Sequence, residues 1–373
     1  MINRYIPIIK MGDAELRGVE KLKDSVKESI TPIFELTRSR KTKKLKEGSI
    51  FRRLDKLEEV FGAARSFILD LTSDPFLANT EIKHLQDSAQ GYLNWCKFIL
   101  EQKSRFPKII PMIQISEDEN LSLEENNQNL AQQVSFLQQH FQTLFYRINI
   151  DDEFYEDDLD IITQTLGDKT HTLVCCMDVV FIPREKAGIL AQNIVNKIIN
   201  INNKFGIKQF SLAGTSFPVT VTQISSENTA NISLEEVAFA KEVITSFRER
   251  EDISLIYGDY ASINQKRNDM ITTGWIPRID CPTEDSIFYY KKRREGETYA
   301  QRYMEVAGMV TRDPRFEQLK KQINCWGIDE IEYASRNKPR GLAPSFWISV
   351  RLNIHISLQS FLLSLPKGTN FSS

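Results

Sequence analysis

The sequence lacks the features that would assign it at once to several large classes of protein. It has no apolar run long enough to span a membrane, and its N-terminal segment turns polar too early for a signal peptide, so no membrane association is expected and the cytoplasm is the expected location. Its five cysteines are scattered without a C-x-x-C pair, and its four histidines are dispersed, which argues against a disulfide framework and a zinc site. No P-loop, dinucleotide fingerprint or nucleophile elbow is present.

The sequence also has no marked excess of positive or negative charge. The 373 residues carry 48 basic and 50 acidic side chains, for a formal net charge of −2, and the apolar fraction of 41% is ordinary for a globular protein. A chain that is basic throughout and binds nucleic acid over its whole surface is therefore excluded. Any site for a polyanion has to be local.

Eight short apolar runs, each followed by a polar turn, predict eight strands. They cover residues 4–10, 30–36, 66–71, 108–115, 144–151, 172–180, 208–214 and 253–260. Segments with helical periodicity lie between most of them, as in Leu16, Val19, Leu22 and Val26. Two helices begin with an apparent capping box, at Ser122 and at Ser233.

The alternation of strand and helix predicts a (β/α)8 barrel over residues 1–262. A doubly wound open sheet has the same alternation, but it usually has a glycine-rich phosphate turn after its first strand, and none is found here. In residues 263–373 the regular alternation of strand and helix stops, and aromatic residues are frequent. We expect them to form an α+β extension that packs on the barrel.

Polar residues follow nearly every predicted strand, where the reactive groups of a barrel lie. Carboxylates at strand ends could hold Mg²⁺ or act as acid and base, and nearby cations could bind phosphate. The candidate catalytic residues are Glu35, Asp70, Asp178 and Asp259. The candidate ligand-binding residues at the strand ends are Lys10, Arg147, Asn149 and Tyr257. The alternative is a structural network of ion pairs that closes the top of the barrel.

A basic segment, residues 38–53, follows the second strand and contains eight Lys or Arg residues against one Glu. It is expected to overhang the barrel mouth, where Lys41, Lys43 and Lys44 would attract an anionic ligand. A run of like charges is also typical of a solvated face with no ligand. The acidic residues 151–160 would limit how far a bound nucleic acid could extend.

Several of these segments resemble one known family. The opening YIPIIK, the later ITPIFEL and FILDL, and YGDYASI followed by GWIPRIDC resemble the beta-protein family, named after a protein of a T-even bacteriophage and found also in bacteria. The resemblance covers nearly the whole chain. It implies an accessory protein of a phage or prokaryote, for which a role in a defence system is one interpretation. It supplies no catalytic residues.

Two functions follow from the sequence as alternatives. The first is an enzyme that acts on a phosphorylated ligand such as a nucleotide or nucleic acid, with a cofactor that is unknown and for which Mg²⁺ is the candidate. The second is a binding module without catalysis, a sensor, inhibitor or subunit with a protein partner in phage–host conflict. An enzyme needs carboxylates free to meet an ion or substrate, whereas a binding module can have them all paired with Arg or Lys.

Overall fold

A computed structural model describes residues 2–116, 118–220, 227–266 and 274–365. Eight parallel strands form one sheet that curves into a barrel. The barrel strands are β1 (Tyr5–Lys10), β2 (Ile33–Leu36), β3 (Phe67–Leu71), β4 (Ile109–Pro111), β5 (Leu144–Asn149), β6 (Leu173–Phe181), β7 (Gln209–Thr215) and, after a β8 (Thr229–Ser233) that lies outside the barrel, β9 (Ser254–Asp259). Each overlaps one of the eight predicted runs, so the predicted (β/α)8 barrel is confirmed.

The order of the strands shows how the barrel closes. Neighbours in the sheet follow the order β4-β3-β2-β1-β9-β7-β6-β5. The two edges meet through a parallel bridge between Met112 and Phe145, where the N–H of Ile113 also donates to the Phe145 carbonyl at 2.7 Å. The barrel is therefore nearly closed, and a doubly wound open sheet is excluded.

Helices surround the barrel and fill the C-terminal part of the chain. They are α1 (Asp13–Glu20), α2 (Asp24–Ser29), α3 (Ile50–Phe61), α4 (Thr80–Gln86), α5 (Ala89–Arg105), α6 (Leu123–His140), α7 (Tyr155–Leu166), α8 (Ala187–Phe205), α9 (Glu235–Ser246), α10 (Tyr299–Thr311), α11 (Pro314–Gln322), α12 (Trp326–Arg336) and α13 (Pro344–Ser364). Among the described residues, no helix is both long and apolar enough to cross a membrane.

The two predicted capping boxes have different outcomes. Ser122 caps α6, and its hydroxyl and the Glu125 side chain satisfy each other's backbone N–H groups as expected. Ser233 does not cap α9, because it is the last residue of β8 and the helix begins at Glu235. The periodic residues Leu16 to Val26 also span two helices, since the chain is extended at Lys23 between α1 and α2.

The C-terminal part of the chain is joined to the barrel in two places. β8, from the loop after the seventh barrel strand, pairs with β11 (Ser286–Lys291), which also pairs with β10 (Arg278–Pro282). The long helix α13 packs against α1, where Ser349 and Asn353 donate hydrogen bonds to α1 carbonyls. α13 thus covers the outer face of β1 and β9, where the eighth helix of a barrel is expected.

Both faces of the barrel strands are buried. The inner face carries an apolar cluster that includes Ile6, Ile33 and Phe145, and the outer face packs under the helices in a larger core. All five cysteines are buried and unbonded, as expected for core thiols. Because both faces are apolar, the sequence pattern of a strand does not reveal which of its alternating side chains point into the barrel.

Candidate functional site at the barrel mouth

Arg147, on β5, lies at the centre of the barrel mouth and is shared by three carboxylates. Its Nη1 donates to Glu35 at 2.8 Å and to Asp70 at 2.9 Å, and its Nε donates to Asp178 at 2.8 Å. Its Nη2 donates to the Tyr260 hydroxyl at 2.6 Å. The fold thus brings together four of the predicted site residues, from β2, β3, β5 and β6.

The remaining oxygens of the cluster also have partners. Asp70 Oδ1 accepts from the Leu71 N–H at 2.8 Å and from Gln114 at 3.2 Å. Asp178 Oδ2 accepts a second hydrogen bond, from the Tyr260 hydroxyl, and its Oδ1 accepts from the Val180 N–H at 2.8 Å. The carboxylates are therefore satisfied by the protein itself.

Lys10 completes the cluster on the side of β1. Its Nζ lies 3.8 Å from Glu35 and 3.9 Å from Asp74, and it donates to the Gln265 carbonyl. Only 8% of Lys10 and 2% of Glu35 is exposed, so neither offers a surface to a ligand. Lys10 is thus engaged by protein groups, and its role in binding an anion stays a prediction.

The electrostatics of the mouth favour a cation over an anion, and the protein already supplies that cation. Burial raises the pKa of Asp70, and Glu35 raises it further, against the lowering effect of Arg147. Although burial opposes its charge, the surrounding Tyr260 and carboxylates hold the pKa of Arg147 well above its usual range. An Mg²⁺ ion would have to displace the guanidinium, so the donor set does not fit a resident metal.

Several predicted site residues do not join the cluster. Asn149 is exposed, and its side chain accepts a hydrogen bond from the Asp151 N–H at 3.1 Å. Asp178 and Asp259 accept in the same way from the backbone two residues ahead. This is the Asx turn, so a carboxylate or amide at a strand end has a structural reason to be there.

Asp259 and Tyr257, candidates for the barrel mouth because they lie at the end of a strand, point away from it. Asp259 Oδ1 accepts from the Tyr5 hydroxyl at 2.8 Å, and its Oδ2 accepts from the Tyr257 hydroxyl and from His355 Nε2, both at 2.8 Å. His355 belongs to α13, outside the barrel. Asp259 thus binds the last helix to the barrel and does not contact Arg147 or Lys10.

The cluster contains two members that the sequence did not single out as site residues, Tyr260 and Gln114. Tyr260 is buried with the inner apolar cluster, so the inward residues of β9 lie on the Ile256 side of the alternation. The sequence carries no signal for this choice of face; a Cβ at Gly258 would meet the Ile6 and Leu212 carbonyls at 2.6 and 2.4 Å, which explains the glycine but not which face points inward.

A second buried carboxylate, Glu236 of α9, lies near Asp259 but faces a different partner. Its Oε2 accepts from the Ser216 N–H at 2.9 Å and from the Ser216 hydroxyl. Its Oε1 has no hydrogen-bond partner within the described part of the chain. Burial raises the pKa of Glu236 to about 7; the Ser216 hydrogen bond opposes the rise and the charge of Asp259 adds to it.

The raised pKa of Glu236 predicts how stability depends on pH. Between about pH 4.5 and 7 the folded chain holds a proton on Glu236 that the unfolded chain releases, so stability should fall as pH rises through this window. Glu236→Gln removes the titration and keeps an acceptor for Ser216. At about pH 8 the variant should be more stable than the native chain by on the order of 1–3 kcal/mol, with little difference near about pH 5.

Urea unfolding across that range of pH measures this effect. Glu242→Gln, an exposed change on the same helix, is the matched control and should leave the pH profile unaltered. Parallel profiles for the native chain and Glu236→Gln would show that Glu236 does not hold the proton.

The basic segment forms a loop whose ends are pinned together. The Ser39 N–H donates to the Ser49 carbonyl at 3.1 Å, and the Ser49 N–H donates to the Ser39 hydroxyl at 3.0 Å. Gly48 has a φ of +80°, and a Cβ there would meet the Ser39 carbonyl at 2.2 Å. Ser49 also caps α3. The loop is thus a compact Ω-type structure that projects its side chains from a fixed base.

Six of the eight cations of the segment are exposed. Two are engaged: Arg38 donates to the Phe76 carbonyl at 2.8 Å, and Arg53 pairs with Asp13. For the other six, the described part of the chain shows no ion pair. These six residues are Arg40, Lys41, Lys43, Lys44, Lys46 and Arg52.

The second basic run of the sequence, residues 291–294, does not form a comparable surface. Lys291 is buried in β11, Lys292 pairs with Glu305 at 2.7 Å, and Arg294 lies over the Tyr299 ring at 4.0 Å. Only Arg293 and Arg294 of the run are exposed. The basic segment after β2 is therefore the stronger candidate for an anion site.

Solved structures with a similar fold include carbohydrate-active barrels. The catalytic domain of an Ignisphaera aggregans GH53 protein is 10% identical, with 69% of this chain and 85% of that chain covered and a TM-score of 0.45. The tri-modular endo-beta-1,4-glucanase B of Bacillus halodurans is 13% identical, with 68% and 55% covered and a TM-score of 0.40. This chain spans little more than half of the glucanase, and likeness at this level says nothing about chemistry.

The sequence comparisons are more specific. Protein beta of Enterobacteria phage P4 is 26% identical over 360 residues, which cover 95% of this chain and 92% of the relative. The phage in this comparison is P4, whereas the resemblance noted in the sequence pointed to a T-even phage. A family model described as Beta protein matches residues 5–361. The chain therefore belongs to the Beta protein family.

Proposed function

We propose that this member of a phage-associated family is a binding protein for a phosphorylated ligand, a nucleotide or a nucleic acid, and that the basic segment holds the ligand. The observation that carries the proposal is a set of five exposed cations without ion pairs on the pinned loop between Ser39 and Ser49, with a sixth, Arg52, in the first turn of α3. A loop whose ends are already held loses less backbone entropy when it binds an anion, and the summed field of its cations attracts the anion.

The cluster around Arg147 supports a binding protein over an enzyme. Glu35, Asp70 and Asp178 all accept hydrogen bonds from one guanidinium and pair with its charge, and each is at most 6% exposed. Carboxylates that serve a metal or a substrate must be free to meet it. In this proposal the cluster closes the barrel, and the chain acts in phage–host conflict as a sensor, an inhibitor or a subunit of a complex.

Reversing three charges of the loop tests the proposal. Lys41, Lys43 and Lys44 are exposed, so their joint replacement by Glu should leave the fold intact. Binding of a fluorescent single-stranded oligonucleotide, followed by anisotropy, should weaken by about tenfold or more at about 0.05 M salt. The difference should shrink at about 0.3 M salt, because screening already weakens the native interaction there.

The matched control reverses three lysines at the opposite end of the barrel. Lys108, Lys169 and Lys208 are exposed and stand just before β4, β6 and β7. Their replacement by Glu alters the net charge by the same amount but should leave most of the binding in place. Equal losses in the two triple variants would show that only net charge matters, and the proposal would then be wrong.

A further inference from the structure

A cavity of about 430 Å³ lies between α1 and α3, beneath the first residues of the basic segment. Cationic side chains outnumber acidic ones in its wall. The cationic residues are Arg17, Arg40, Arg52, Arg53 and Lys56, and the acidic residues are Asp13 and Glu20. The cavity is therefore a local site of positive charge in a chain whose net charge is slightly negative.

The two acidic side chains of the wall are already engaged. Asp13 pairs with Arg53, and Glu20 lies 3.0 Å from Lys21 and 3.6 Å from Lys56. In contrast, no hydrogen bond or ion pair engages the side chains of three wall residues within the described part of the chain. They are Arg17, Arg40 and Arg52. Three guanidinium groups thus face one cavity without a counter-charge from the protein.

Arg53 gives this cavity a fixed wall. Its side chain is only 8% exposed, and its Nε donates to the Arg38 carbonyl at 3.3 Å while its Nη1 donates to Asp13. Arg53 thereby connects α3, the start of the basic segment and α1. This part of the wall is therefore formed before any ligand arrives.

We propose that this cavity binds a terminal phosphate, either a phosphomonoester or a polyphosphate. Guanidinium groups bind phosphate oxygens in pairs, and three of them match the higher charge of a terminal phosphate better than the single charge of a phosphodiester. None of the described residues in the wall is aromatic, so the site recognises the phosphate and not a base. The inference rests on the proposed function and specifies which group of the ligand is recognised.

The test compares two oligonucleotides of the same sequence, one with a 5′-phosphate and one with a 5′-hydroxyl, and uses a nucleoside triphosphate as competitor. The native chain should bind the phosphorylated strand about tenfold more tightly. Arg17→Gln/Arg52→Gln should abolish that preference. The control variant Arg248→Gln/Arg336→Gln, which removes two exposed arginines elsewhere, should retain it. Thermal unfolding checks that both variants fold.

The test distinguishes a phosphate on a nucleic-acid strand from a phosphate on a small molecule. It also distinguishes failure of the cavity inference from failure of the proposed function. If the triphosphate binds in a manner that needs Arg17 and Arg52 while the two strands bind equally, the terminal phosphate belongs to a small molecule. If the strands bind equally and the triphosphate is indifferent to Arg17 and Arg52, the cavity inference is overturned. The wider function still stands in that case, provided that reversal of Lys41, Lys43 and Lys44 weakens both strands.

Discussion

Arg147→Met is expected to lower the free energy of unfolding at neutral pH by about 3–5 kcal/mol, because it removes the shared cation from three buried carboxylates. The loss should shrink as pH falls to about 5. Burial already raises the pKa of Asp70, and the variant lacks the Arg147 charge that opposes this rise, so the folded variant gains stability as Asp70 binds a proton. Urea unfolding at the two pH values measures both effects.

Two further variants show whether charge or packing is responsible. Arg250→Met breaks an exposed pair with Asp252 and should lose far less stability than Arg147→Met. Adding Glu35→Gln, Asp70→Asn and Asp178→Asn to Arg147→Met removes the uncompensated charges and should restore stability at neutral pH. This quadruple variant should also still bind the oligonucleotide. An Arg147→Met chain as stable as the native chain at neutral pH contradicts the structural role of the cluster.

The barrel could be predicted from the sequence because each of its units is local. A short apolar run followed by an amphipathic helix contains its own signal, and the eight runs appear in the sheet in chain order. The positions of β8 and α13 could not be predicted in this way. β8 pairs with β11, more than fifty residues later, and α13 packs on α1 from the far end of the chain. Contacts between segments so far apart produce no periodic pattern in the sequence. The boundary at residue 262 stays a prediction.

The candidate site was predictable only in part, for a physical reason. Glu35, Asp70, Asp178 and Arg147 were found because parallel strands bring their carboxyl ends to one rim. Their mutual pairing could not be read from the sequence, since alternation fixes the face of a side chain and not its partner. Asp259 was misplaced because both faces of β9 are buried, so an error of one residue in the alternation leaves the pattern equally apolar.

Asp259→Asn is expected to destabilise the chain by on the order of 3–5 kcal/mol, because it breaks a buried pair that joins α13 to the barrel. Burial raises the pKa of Asp259. The electrostatic interaction with His355 and the hydrogen bonds from His355, Ala261 and Tyr257 outweigh that rise, so the pKa lies below its usual value. The native chain should therefore lose this stabilisation only as pH falls below the usual pKa of an aspartate, about 3.9, through the lower folded value. Asp259 is charged at neutral pH, and thermal or urea unfolding there measures the loss in Asp259→Asn.

A double-mutant cycle assigns the effect to the pair itself. Once His355 is replaced by Gln, Asp259→Asn should lose less than it does in the native chain, because the partner of the carboxylate is already absent. Asp252→Asn, in the exposed pair with Arg250, should lose far less stability than Asp259→Asn. Oligonucleotide binding at a temperature where all variants are folded should be unaltered, since Asp259 faces α13 and not the basic segment. A stable Asp259→Asn chain that fails to bind would instead make Asp259 part of the functional site.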